Sequence, residues 1–127
     1  WMGMFFIADA VNAELRGSNT PLPRITPARV RTGLDLRYKG LSVRPEAVFV
    51  SARKIDDVFT LETPTAGYCL FSVNTSYTYA TDRLAHILSF STSNLGDRLY
   101  RNHLSFIKDL APEPGRGARF SYSIRIF

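Results

Sequence analysis

The sequence has one cysteine in 127 residues, Cys69, so it can form no internal disulfide and no cysteine-based metal cluster. It has no stretch approaching the ~18 consecutive apolar residues of a membrane-spanning helix, although 45% of its residues are hydrophobic. A helical membrane protein is excluded. Blocks of like charge are missing too. Sixteen Lys and Arg against 11 Asp and Glu leave a net charge of +5, but the basic residues are scattered through alternating segments. Scatter of this kind makes no electrostatic footprint for nucleic acid, and no nucleic-acid partner is expected. The opening WMGMFFIADAV lacks the positive n-region and small-residue cleavage site of a signal peptide, and a chain that starts on Trp1 reads as cut from something longer.

Catalytic motifs are absent as well. There is no Gly-x-Ser-x-Gly, His-Glu-x-x-His, phosphate loop or dinucleotide fingerprint. The stretch PEPGRG has neither the spacing nor the following helix of a phosphate cradle and reads as a turn. His86 and His103 are too far apart to match metal-ligand spacing. The expectation is a protein with no catalytic residue, no metal and no cofactor.

What the sequence does have is period-2 alternation, the mark of strands with two unlike faces. In residues 28–38, Val30, Thr32, Leu34, Leu36 and Tyr38 share one face, and Arg29, Arg31, Gly33, Asp35 and Arg37 share the other. Residues 41–54 set Leu41, Val43, Ala47 and Phe49 against Ser42, Arg44 and Glu46, with Pro45 removing a ladder donor. Residues 65–80 set Cys69, Phe71, Val73, Thr75, Tyr77 and Tyr79 against Ser72, Asn74, Ser76 and Thr78. Residues 84–95 set Leu84, His86, Leu88 and Phe90 against Ala85, Ile87, Ser89 and Ser91. A poorer strand is expected over 5–15, where Asp9 shares the face of Phe5, Ile7 and Val11 and would be costly at mid-membrane. The last strand, 116–127, runs to the final Phe127.

The connections sort by length. Short turns near Lys39 and Asp82 alternate with long segments, RGSNTPLPRITP, KIDDVFTLETPT and RLYRNHLSFIKDLAPEPGRG. A soluble sandwich has no reason to sort its loops this way, whereas a transmembrane β-barrel has short periplasmic turns and long extracellular loops. Strands of about 10 residues cross a bilayer when tilted. The expected fold is therefore all-β, an antiparallel up-and-down meander of about six strands over residues 1–127. Closed bacterial barrels begin at about eight strands, so the chain is expected to be the C-terminal part of a larger barrel, and an open sheet if alone.

Longer stretches carry a family resemblance. SNLGDRLYRNHLSFIKDLAPEPGRGARFSYSIRIF, residues 93–127, resembles the C-terminus of TonB-dependent outer-membrane receptors, and PLPRITPARVRTGLDLRY and ETPTAGYCLFSVNTSY are similar to segments that precede it in that family. The resemblance implies a barrel of about 22 strands around a plug that lies outside this chain. It implies import of a scarce nutrient such as a metal–siderophore complex across the bacterial outer membrane, with TonB acting only through the plug. Lipid, the remaining strands, the plug and the barrel-assembly machinery are the implied partners. Under this reading Arg29, Arg31, Arg37 and Arg44 face the lumen, either touching plug carboxylates or simply solvated. Arg101, His103, Lys108 and Asp109 are candidate substrate-loop residues, with packing between loops as the alternative. Phe120, Tyr122, Ile124, Ile126 and Phe127 form the C-terminal assembly signal, although strict alternation puts Phe127 in phase with Ser121, Ser123 and Arg125. Tyr77, Tyr79, Phe90 and Tyr122 fit aromatic belts, and His86 a lipid-edge position. Two other readings remain: a soluble β-barrel or sandwich holding a small apolar ligand, and a receptor fragment with no function of its own.

Overall fold

The alternating segments become strands in the computed structural model, which describes residues 1–17 and 20–127; Ser18 and Asn19, in the first long connection, lie outside the described residues. The strands are β1 (Met2–Asp9), β2 (Arg29–Tyr38), β3 (Leu41–Val50), β4 (Tyr68–Ala80), β5 (Leu84–Ser93) and β6 (Gly117–Ile126). They form one antiparallel sheet of 6 strands in the order of the chain, with β1 and β6 at its two edges. This is the meander expected from the alternation. We call the long connections L1 (10–28), L2 (51–67) and L3 (94–116). All three leave the sheet at the same end, because the strands between them reverse direction at two short turns.

β1 departs from the expectation. It starts at Met2 and stops at Asp9, because β2 begins at Arg29 and residues past Asp9 have no strand to pair with. The pairing also changes which neighbours Asp9 meets. Its Cα partner is Arg29, whose Nη2 lies 2.8 Å from the carboxylate, so Asp9 sits on the charged face and not against lipid. The mid-membrane cost expected for it does not arise.

Register then extends two faces across all strands. One face carries Met4, Leu34, Val43, Phe71, Val73, Leu88, Phe90, Phe120 and Ile124, and the opposite face carries Arg31, Asp35, Arg44, Glu46, Asn74, Ser89 and Ser121. The apolar face is uncovered: Phe120 is 67% exposed, Ile124 53% and Phe71 50%. Among the described residues the buried apolar side chains are Ile25, Val58 and Ala85, and two of those are in loops. A soluble domain of this size buries roughly two thirds of the surface of its unfolded chain. This chain is a single layer, and its apolar face needs an occupant from outside. No helix among the described residues is long and apolar enough to cross a membrane, which says nothing about crossing by strands.

Pro45 lies inside a central strand. Its missing N–H shows in the ladder, where the β2–β3 pairing breaks between Gly33↔Glu46 and Leu36↔Val43. The β3–β4 side is continuous through Pro45↔Val73.

The β2–β3 turn depends on Gly40. Lys39 and Gly40 have φ of 43° and 82°, the left-handed pair of a type I′ hairpin turn. β4 extends past the hairpin, and Thr78 N–H donates to the Gly40 carbonyl at 2.9 Å. A Cβ on Gly40 would overlap the Thr78 carbonyl oxygen. Gly40→Ala is expected to lower stability by about 2 kcal/mol or more, read as a lower urea midpoint in lipid vesicles. Gly17→Ala is the control: it has a similar φ of 94° but nothing among the described residues within 4 Å of the added carbon. Equal losses in the two variants would show that the contact with Thr78 has no role.

Candidate functional site

The buried polar groups of the chain collect where the three loops meet. L2 is pinched at its neck by a bridge in which Arg53 N–H donates to the Thr65 carbonyl at 2.8 Å and Thr65 N–H donates back at 2.9 Å. Beyond the pinch, a short 3-10 turn at Ile55–Asp57 and the buried Val58 fold the loop over itself. Glu62 N–H then donates to the Phe59 carbonyl at 2.7 Å. Those turns aim Glu62, Thr63 and Thr65 at L3.

L3 is closed at its own neck by Asn94, 5% exposed and at φ 48°. Its Oδ1 accepts from Arg98 N–H and its Nδ2 donates to the Arg98 carbonyl, both at 2.8 Å. Asp97 Oδ1 accepts from Arg116 N–H at 2.8 Å across the loop. Asn and Asp tolerate the left-handed conformation and bond their own backbone, which is why NLGDR works as a loop closure. Inside the neck, turns at 102–105 and 107–111 present His103 and Lys108 on one side.

The candidate loop residues are therefore close together, but they differ in exposure. His103 is 4% exposed and Lys108 8%. Lys108 Nζ donates to the Thr63 carbonyl at 2.7 Å, to Thr65 Oγ1 at 3.3 Å and to His103 Nδ1 at 3.2 Å. Thr65 Oγ1 lies 2.9 Å from the same imidazole nitrogen. His103 Nε2 faces Glu62 Oε2 at 3.9 Å, and that oxygen has no hydrogen-bond partner among the described residues. Asp109 stays exposed and accepts from Thr63 Oγ1 at 2.7 Å. Arg101 is also exposed, with its guanidinium donating to the Lys108 carbonyl. Burial and the cations Lys108 and Arg53 lower the His103 pKa, against the opposing pull of Glu62. Nearby, burial and then the Glu113 carboxylate push the Tyr100 phenol up.

L1 joins the same cluster. Arg24 N–H donates to Glu62 Oε1 at 2.8 Å, and its guanidinium stacks 3.4 Å above the Phe106 ring. Arg53 Nη2 donates to the Thr26 carbonyl at 3.1 Å. Arg24, Arg53, Glu62 and Thr65 were not among the sequence candidates. Their partners in the other loops are tens of residues away, and no local pattern marks them. Residues at the accessible tip of L3 are apolar instead: Phe106 is 84% exposed and Leu110 85%. Among the described residues no three His, Cys, Asp or Glu side chains are placed to hold a metal ion.

The four arginines of the charged face are each ion-paired. Arg31 meets Glu46 at 2.8 Å, while Arg37 and Arg44 share Asp35 at 2.9 and 2.8 Å, and Arg29 holds Asp9. Their partners are cross-strand or near neighbours in this chain. On the opposite face, β6 carries Phe120, Tyr122, Ile124 and Ile126 in one row, and Phe127 lies past the strand with its N–H donating to the Arg83 carbonyl at 3.1 Å. His86 Nδ1 lies 2.8 Å from Tyr122 Oη, with the two rings stacked and Tyr79 on the other side. These rings sit near the short-turn end of the sheet.

The sequence matches no protein-family model and no curated protein. Among solved structures it is similar to a chain described as copper transporter OprC, with a TM-score of 0.79 and 23% identity, over 99% of this chain and 20% of that one. At that identity the likeness establishes a shared fold, and the chain spans about one fifth of the length of the transporter chain it resembles.

Proposed function

We propose that the chain is wall from an outer-membrane transport barrel, the C-terminal strands of a TonB-dependent receptor that imports a scarce nutrient such as a metal–siderophore complex. The observation that carries this reading is the sheet itself: one layer, an apolar face continuous over all strands and left uncovered, and a charged or serine-rich face opposite. Lipid is the natural occupant of the first face and a polar lumen of the second. The open edges at β1 and β6 would leave backbone groups unpaired in a bilayer, at several kcal/mol each. They call for further strands, and a barrel several times this size supplies them. The fold likeness to a copper transporter supports a transport role, and the substrate class follows the sequence resemblance.

In this reading L1, L2 and L3 form part of the extracellular rim, and the arginines of the charged face line the lumen against the plug or water. Tyr77, Tyr79, His86 and Tyr122 lie at the headgroup level of the short-turn side. Phe120, Tyr122, Ile124 and Ile126 face lipid, and together with Phe127 they form the signal for the assembly machinery. TonB acts through the plug and touches no residue of this chain. A soluble binder of apolar ligands has less support, since it needs a second layer over Phe71, Phe120 and Ile124.

Refolding the purified chain with and without lipid vesicles tests the membrane reading. Aggregation in plain buffer and β-sheet signal only with lipid is the expected result. A monodisperse β-protein in buffer, by light scattering and circular dichroism, would overturn it.

A further inference from the structure

We propose that the contact between L2 and L3 is an acid-released latch whose trigger is His103. The Lys108 ammonium has hydrogens to donate and no lone pair to accept with. Its approach of 3.2 Å to His103 Nδ1 therefore requires that nitrogen to present its lone pair, so the imidazole is neutral with its proton on Nε2. Thr65 and the Thr63 carbonyl complete the clasp from L2. Protonation places a second N–H at Nδ1, pointing at the ammonium inside a site where both side chains are almost wholly buried. Two cations at hydrogen-bond distance, shielded from water, repel strongly. The repulsion drives Lys108 out and breaks its hydrogen bonds to the Thr63 carbonyl and Thr65 Oγ1 on L2. What remains between the loops is surface contact, the Asp109–Thr63 bond and the Arg24–Phe106 stack.

The charged groups around His103 come from each packed element. Lys108 on L3 and Arg53 on L2 oppose protonation, and Glu62 on L2 favours it. Arg24 on L1 binds the other Glu62 oxygen through its amide. Burial opposes the charge and is the largest effect, so the folded pKa lies below the ordinary value near 6.5. An open loop accordingly takes the proton first. The latch is intact above about pH 6.5 and weakens as pH falls below it, a direction set by the lowered pKa of a base. Release frees the apolar tip of L3 around Phe106 and Leu110 to move.

The test uses spin labels on Cys at two exposed positions, Leu61 in L2 and Leu110 in L3, in a Cys69→Ser background, with the chain in lipid vesicles. The distance between labels is followed from about pH 8 to about pH 5, spanning histidine titration, while circular dichroism follows the sheet. A short distance at high pH that lengthens with a midpoint below about 6.5, with the sheet intact, is the expected result. His103→Gln should hold the short distance throughout, because the Gln carbonyl accepts from Lys108 at every pH. Glu62→Gln should move the midpoint higher, because the closed latch loses the carboxylate that stabilises imidazolium and protonation then favours the open loops more strongly. The latch is overturned by a distance that never changes, by the same change in His103→Gln, or by a Glu62→Gln midpoint that falls. Labels already apart at high pH, or loss of the sheet in step with the distance, overturn it equally.

Discussion

Val73→Arg is expected to cost about 2–4 kcal/mol of stability in a bilayer, and Ser72→Arg, one residue earlier, well under about 1 kcal/mol. Val73 is central in β4 and on the apolar face, opposite Pro45 in β3 and Thr92 in β5. In the proposed barrel a guanidinium there enters hydrocarbon near the midplane, too far from either surface for its stem to reach water easily. Ser72 points the other way, opposite Glu46, where an added cation meets water and a carboxylate. Urea unfolding of both variants in vesicles measures the difference. If the two substitutions cost the same, the faces of the sheet share one solvent, and the barrel-wall proposal fails with them.

The second large effect is expected at Lys108. Lys108→Met keeps much of the stem but leaves the Thr63 carbonyl without its donor and removes the ammonium from Thr65 Oγ1 and His103 Nδ1, which keep only each other. Hydrogen bonds to a charged group contribute about 1.5–3 kcal/mol. The loss should appear as about 10- to 100-fold faster hydrogen exchange of the L2 and L3 amides, Thr65 N–H among them, with the strands unchanged. Exchange that stays at the wild-type rate in both loops would mean that Lys108 does not dock them. Arg101→Ala provides the contrast, since its side chain is exposed and, among the described residues, bonds within L3 to the Lys108 carbonyl. A small effect is expected there.

Much of the architecture was legible because alternation is a local property. A residue and its second neighbour lie on one face of a strand whatever the rest of the chain does, so Val30 to Tyr38 and Cys69 to Tyr79 declared their apolar sides without any knowledge of partners. The short turn at Lys39 and Gly40 was legible for the same reason, and so was the sorting of loops by length. Pro45 was a fair warning of local damage, seen in the broken β2–β3 pairing, but the unbroken β3–β4 ladder held the strand in place. The first strand was misjudged because its pattern is weak: Phe5 and Ile7 sit on the charged face, and the Phe5 ring lies over Gly33, where no side chain competes for the space. Pairing with β2, and no feature of residues 5–15 themselves, decided where that strand ends and where Asp9 points.

The candidate loop site divides along the same line. Arg101, His103, Lys108 and Asp109 stood out as polar residues in one long loop, and their proximity follows from chain connectivity alone. Which of them is buried does not. His103 and Lys108 meet Thr63, Thr65 and Glu62 across 38 to 45 residues of sequence, and these contacts exist only because the strands bring L2 and L3 out at the same end of the sheet. By itself the sequence determined a two-faced antiparallel sheet with long loops at one end and short turns at the other, since side-chain periodicity and turn chemistry act within a few residues. Only the tertiary structure decided the partner of Asp9 and the buried clasp between the loops, since each depends on register between segments that no local pattern connects.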